Sequence, residues 1–283
     1  QGTFAVLHRR ELLRLRANLR GTVLLLLMAP VFGLFLRALI TAHGMAPDVI
    51  APNVYARRVI LTLVLSAVWM GSLNAVRSVV KDRAVIRRER LVGVRPVQVV
   101  AAKVAVLAEL TAVQVIVLTL VALAGVSTVG RGAALPWPWL ELTVDAWAAA
   151  FAGGCMALAI SAAATGTDRA LAVLALVLVP QIVLSGGVMA LRDAPVLQPL
   201  ATLSAARWGL SAAAATTDLR DLETQTAIPV PLSAAMIATA RHQDSDSGWD
   251  HRPGAWLGDL GALAALSVLS LAVGVAIMSR PPR

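Results

Sequence analysis

The sequence predicts an all-α membrane protein with six transmembrane helices per chain. Of its 283 residues, 58% are hydrophobic and only 14% are charged. The apolar residues gather in blocks of about twenty, the length at which a helix crosses the hydrocarbon layer of a bilayer. The charged residues gather between the blocks. Inside a bilayer only helices and closed barrels satisfy their backbone hydrogen bonds, so blocks of this length read as helices, and an ordinary soluble fold is excluded.

The chain opens on a basic stretch with no cleavage signal and no initial methionine, which is read as an internal cut in a longer polypeptide rather than a signal peptide. At helical spacing, residues 4–20 place Phe4, Leu7, Leu12, Leu15 and Leu19 on one face and Arg9, Arg10, Arg14, Arg16 and Arg20 on the opposite arc. Such a segment lies in the membrane plane, as a plain anchor or as a lever to something upstream. The first two apolar runs follow at 21–40 and 59–76, the second holding Trp69 and Met70.

Between the second and third runs stands RSVVKDRAVIRRERLVGVR, residues 77–95. A helical hairpin needs only a handful of residues, so the extra length suits a docking surface; a solvated basic loop is the other reading. The third run, 99–124, contains Lys103 and Glu109. These lie about 9 Å apart along a helix and about 240° apart around it, so they are no obvious pair with each other. An ionisable group at depth is a functional candidate. For Glu109 the readings are a partner on a neighbouring span or proton carriage.

The fourth run, 146–164, carries Ala149, Gly153 and Ala157 at four-residue spacing, a small-residue face for close helix packing. Its only cysteine, Cys155, permits no intrachain disulfide and reads as part of that packing. Trp137, Trp139 and Trp147 look like an interfacial aromatic belt at its outer end. Residues 165–169 then make a tight hairpin to the fifth run, 171–191, which includes Leu178, Pro180, Gln181, Ile182 and the element Ser185-Gly186-Gly187-Val188. A loop of about sixty residues, 192–255, precedes the sixth run at 256–278. Its moderately apolar piece, 200–215, is expected to fold back against the membrane. His242, Asp244, Asp246, Asp250 and His251 are metal-ligand types in a polar stretch, and a solvated loop is preferred to a metal site there.

Charge sets the orientation. With both ends cytoplasmic, the inner segments hold sixteen of the 25 Lys and Arg residues and net +11, and the outer side nets −2. Basic loops favour the cytoplasm, and against an anionic inner leaflet they account for the net charge of +9 without any nucleic acid. The arginine-, alanine- and valine-rich composition suggests a GC-rich bacterial genome, and the expected location is a bacterial inner membrane. The sequence contains neither a phosphate-binding G-x-x-x-x-G-K-[ST] motif nor a His-x-x-x-His pair, and no histidine lies inside a run to complete a serine protease around Ser185.

In order and spacing, these segments resemble the transmembrane domain of the G-subfamily ABC exporters over nearly the whole chain. The resemblance rests on residues 4–20 as the connecting helix, on Arg88, Glu89 and Gly93 in a charged coupling segment, on Lys103 followed by Glu109, and on Ser185-Gly186 at the end of the fifth span followed by Leu203 to Gly209. Departures exist: Thr111 and Ala112 stand where the family often has a proline, and Gly187 and Val188 stand where a leucine plug is common. Among bacterial relatives it looks most like the actinobacterial exporters with forkhead-associated domains ahead of the ATPase.

What the resemblance implies is a connecting helix over 1–20, a six-helix domain over 21–283 with its coupling segment at 77–98 and external loop at 192–255, and a homodimer. A nucleotide-binding domain, N-terminal in the same polypeptide, would hold ATP and Mg; none is expected on this segment. Trp69, Met70, Leu178, Gln181 and Ile182 would line a central cavity, and Ser185, Gly186, Gly187 and Val188 would form the outer gate. Arg87, Arg88, Glu89, Arg90 and Gly93 would couple to the ATPase, with Arg9, Arg10, Glu11 and Arg14 on the connecting helix. The implied activity is alternating-access export of an amphipathic or lipid-like substrate, with no catalytic or metal site on this chain. The rival readings are an ATP-independent channel and a membrane-embedded enzyme of lipid metabolism, for which clustered carboxylates or histidines near an interface are missing.

Overall fold

A computed structural model of the chain describes residues 2–40, 55–126, 131–189, 191, 195–224 and 249–279. Among the described residues the regular structure is helical, and six helices are long and apolar enough to cross a membrane. The elements are α1 (Thr3–Ala17), α2 (Leu19–Leu39), α3 (Tyr55–Ala75), α4 (Arg83–Leu91), α5 (Pro96–Leu123), α6 (Pro138–Ala163), α7 (Thr167–Leu184), α8 (Leu197–Ala201), α9 (Ala205–Thr217), α10 (Leu219–Thr224) and α11 (Pro253–Ser279). The spans are α2, α3, α5, α6, α7 and α11, one for each apolar run.

The centre of the bundle is the α3–α6 contact, and small residues make it possible. A Cβ on Gly71 would stand 1.8 Å from the carbonyl oxygen of Ala150, so the two backbones touch there. Gly153 packs against Val68 and Ser72, and Gly154 against the Leu107 side chain of α5. Lipid tails are as apolar as leucine and give helices no hydrophobic reason to associate, so contact of this closeness supplies the dispersion energy instead. Span α2 sits at the margin, with Leu24, Leu27, Val31, Leu34 and Phe35 exposed.

Two span boundaries differ most from the sequence reading. The fourth span starts at Pro138 instead of residue 146, so Glu141 and Asp145 lie inside it and are fully buried. Glu141 accepts backbone N–H bonds from Ala133, Ala134 and Leu135. Asp145 accepts from Thr216 Oγ1 at 2.8 Å and from Trp256 Nε1 at 2.7 Å, which joins α6, α9 and α11. The fifth span ends at Leu184, because Gly186 takes φ +80 and Ser185 accepts the Gly187 N–H. In the stretch between the last two spans, α9 does more than rest against the membrane: it is buried almost throughout, packed between α3, α6 and α11. Trp147, read as part of an aromatic belt with the exposed Trp137 and Trp139, is partly buried and donates to the Ala108 carbonyl on α5. Of the metal-type cluster, His242, Asp244 and Asp246 lie outside the described residues; Asp250 pairs with Arg220 and His251 with the Ala215 carbonyl.

Replacing Gly71 by alanine presses a methyl group into backbone that cannot swing aside, at a cost of about 1–3 kcal/mol or more. Gly258→Ala, where nothing lies within 4 Å, is the control. Thermal unfolding in detergent will show a clear loss for Gly71→Ala and none for Gly258→Ala.

Candidate functional site

The richest polar chemistry lies at one end of the bundle, where α1, the 76–82 turns, α4 and the start of α5 converge. α5 begins at Pro96, whose missing N–H costs nothing in a first helical turn, and Gln98 Oε1 accepts the Arg95 N–H. Two turns on, Lys103 is buried, its side chain only 4% exposed. Its ammonium sits 2.6 Å from Asp82 Oδ2 and 3.3 Å from Glu11 Oε2. Arg14 bridges the same two acids, 2.5 Å from Asp82 and 3.1 Å from Glu11. Arg10 pairs with Glu89 on α4 and lies 3.2 Å from Glu11. One network thus closes α1 onto the turn segment, α4 and the third span.

This arrangement alters the reading of α1. Arg10 and Arg14 turn inward with Glu11 beside Leu7, while Arg9 and Arg16 stay exposed. Apolar side chains alone therefore do not define its inner face; ion pairs share it. Glu109 also meets α1: His8 Nε2 lies 2.9 Å from its Oε1, so its partner is on α1 and not on a neighbouring span.

The α4 segment is fastened at both ends. Gly93 at φ +92 ends the helix, with the Val94 N–H reaching the Glu89 carbonyl and the Gly93 N–H the Arg90 carbonyl, a Schellman turn that only glycine enters without strain. Arg83 donates to the carbonyls of Ala162 and Ala164 at the end of α6, at 2.9 and 2.6 Å. Arg90 donates to Met278 and Ser279 at the end of α11, at 2.8 and 3.3 Å. Ser161 accepts the backbone N–H groups of Val79 and Val80. Helix ends leave carbonyls without intrahelical donors and carry partial negative charge, so cations belong there. Arg87 and Arg88 are exposed, and no carboxylate among the described residues reaches them.

A family model described as ABC-2 type transporter matches residues 2–217. The chain belongs to the ABC-2 type transporter family. This ABC-2 domain is also 34% identical, over 220 residues, to an ABC transporter ATP-binding/permease protein of Mycobacterium tuberculosis. The match covers 77% of this chain and 24% of that protein, so the chain spans about a quarter of its relative's length. The domain is a multi-pass membrane component of an ABC transporter.

The residues assigned by resemblance to a central cavity fall differently across the ABC-2 domain. Met70, Leu178 and Gln181 are buried within the chain, and Trp69 and Ile182 are partly exposed. Gln181 Oε1 accepts the Ala206 N–H at 3.2 Å, in the first turn of α9, where Ser204 is the N-cap. Trp69 keeps its buried Nε1 without a hydrogen-bond partner. Ser185 and Gly186 are buried, while Val188 is exposed; a Cβ on Gly187 would meet Leu210 of α9 and Leu61 of α3. Sequence reasoning missed Asp82, Arg83 and Arg90 as structural ties. Only the mixing of charges in 77–95 pointed to them.

Removing the buried cation at the centre of the network leaves Glu11 and Asp82 with Arg14 as their shared cation, an excess of negative charge in a mostly buried setting that costs about 3 kcal/mol. Lys103→Met will lower the thermal midpoint markedly. Adding Glu11→Gln and Asp82→Asn in the same chain will recover much of the loss, because the strain is uncompensated charge rather than lost packing.

Proposed function

We propose that this domain is the membrane-spanning half of an ATP-driven exporter, moving an amphipathic or lipid-like substrate out of the cytoplasm or inner leaflet by alternating access. The observation that supports it most is the division of labour among the arginines of α4. Arg83 and Arg90 hold the last carbonyls of two spans, whereas Arg87 and Arg88 are exposed and, among the described residues, meet no carboxylate. A segment fixed to the spans on one side and presenting cations on the other is suited to receive a push from a partner with an acidic surface.

In this reading the partner is a nucleotide-binding domain, N-terminal in the same polypeptide, which carries ATP and Mg. The ATP-binding name of the mycobacterial relative supports that arrangement. The network end of the bundle faces the cytoplasm, with both ends of the segment there, in a bacterial plasma membrane. Two copies form a homodimer around a cavity bordered by Trp69 and Ile182, with Met70, Leu178 and Gln181 behind them, and Ser185 to Val188 forms its outer gate. Glu89 serves the transmission from inside, through Arg10, rather than by direct contact with the ATPase. A largely apolar wall gives little hold on a hydrophilic solute, which is why an amphipathic cargo is proposed.

Two measurements test this on the full-length protein. Its mass in nanodiscs will correspond to two copies, and a monomer alone refutes the homodimer. In liposomes, Arg87→Glu combined with Arg88→Glu will leave insertion and basal ATP hydrolysis near the parent's. Export of a fluorescent short-chain phospholipid analogue will fall roughly tenfold or more, as expected when like charges are placed across a docking surface. Normal export by this variant removes the coupling role of α4.

A further inference from the structure

A cavity of about 510 Å³ opens beside the charge network, between α1, α2, α3, the 76–82 turns and α5. Its size falls in the range of ligand sites. One end is polar: Glu11, Arg14, Asp82 and Lys103 border it, together with Arg77 and Lys81. The other end is mostly apolar, made by Leu24, Leu25 and Met28 of α2 with Leu73 of α3 and Leu110 of α5; Asn74, which also borders the cavity, donates to Gln114. Leu24 is 66% exposed and Leu73 37%, so the apolar end is open to the surroundings of the bundle.

Charge at the polar end is unbalanced. Glu11 and Asp82 are both engaged by Lys103 and Arg14, so two acids and two bases neutralise one another. Arg77 and Lys81 are left over: both are exposed, and among the described residues no carboxylate pairs with either. The Lys81 N–H donates to the Arg77 carbonyl at 3.2 Å, which sets the two residues one turn apart on the cavity side. Two unneutralised cations thus stand at the mouth of a cavity whose far wall is mostly hydrocarbon.

We propose that this cavity binds one anionic phospholipid, its phosphate between Arg77 and Lys81 and the upper part of an acyl chain along Leu24, Leu25, Met28 and Leu110. A soluble anion has no use for the apolar wall, and a neutral lipid none for the cations. The apolar wall is continuous with the exposed side of α2, where Leu27, Val31, Leu34 and Phe35 face the bilayer, so a lipid enters sideways without leaving hydrocarbon. The site is separate from the cavity proposed for cargo: none of Trp69, Met70, Leu178, Gln181 or Ile182 borders it. It rests on the orientation proposed above only in naming the inner leaflet as the source.

Native mass spectrometry of the full-length protein, released from detergent without ATP, tests the proposal independently of transport. The probes are phosphatidylglycerol, phosphatidylcholine with the same chains, and glycerol 1-phosphate as the headgroup alone. One phosphatidylglycerol per chain is expected, retained over phosphatidylcholine, with glycerol 1-phosphate neither retained nor competing. Arg77→Ala with Lys81→Ala will weaken phosphatidylglycerol binding by roughly 30-fold, the worth of two cations near an anionic headgroup. Arg77→Lys with Lys81→Arg will restore it. Leu25→Trp, which fills the apolar end and keeps every charge, will weaken it too. Unchanged binding in the double alanine variant, equal retention of phosphatidylcholine, or competition by glycerol 1-phosphate at matched concentration each overturns the proposal. So does failure of any lipid to bind, the result if the ATPase domain or a second copy covers the cavity.

Discussion

Nearly everything at the polar end of this domain depends on holding one buried ammonium group. Lys103 lies on a span, with its side chain almost out of reach of water, and a lone cation there is costly. Two acids from two other elements answer it, Glu11 from α1 and Asp82 from the turns before α4. Two acids against one base leave an excess of negative charge, which Arg14 balances. That requirement draws α1 against α5 and fixes where the segment before α4 lies. The positions of Arg10, Glu89 and Arg83 follow.

A different constraint governs the apolar interior. Without solvent to squeeze helices together, α3 and α6 associate by bringing their backbones into contact at Gly71 and Ala150. Acids inside this region are tolerated where donors are already in place: the indole of Trp256 and the hydroxyl of Thr216 hold Asp145, and three backbone N–H groups hold Glu141. The bundle therefore has two kinds of cement, close carbon contact at its middle and satisfied charge at its ends.

The six spans were legible because a twenty-residue apolar run is a local property, visible without knowing any partner. The start of α6 was not, since Glu141 and Asp145 interrupt the run and their donors lie up to 111 residues away. The charge network escaped for the same reason. Arg10 and Arg14 sit where a helical wheel assigns them to solvent, and their acids lie 79 and 68 residues further along. Gln181 read as a polar side chain facing a cavity because nothing in its own helix reveals that the first turn of α9 arrives to meet it. The end of α4 at Gly93, by contrast, rests on a local preference, since glycine commonly closes a helix.

The paired ties of α4 have a consequence for inheritance. Arg83 and Arg90 bond to main-chain carbonyls of α6 and α11, groups that every amino acid supplies alike. The sequence at those two helix ends is therefore free to drift without loosening the joint, provided the helices keep their lengths. Adding or deleting one residue near either end would rotate the terminal carbonyls by about 100° and carry them away from the guanidinium groups. Evolution of this joint is thus permissive toward substitution and intolerant of insertion, and a chimera that exchanges α4 between relatives keeps its fastening only where the two span lengths match.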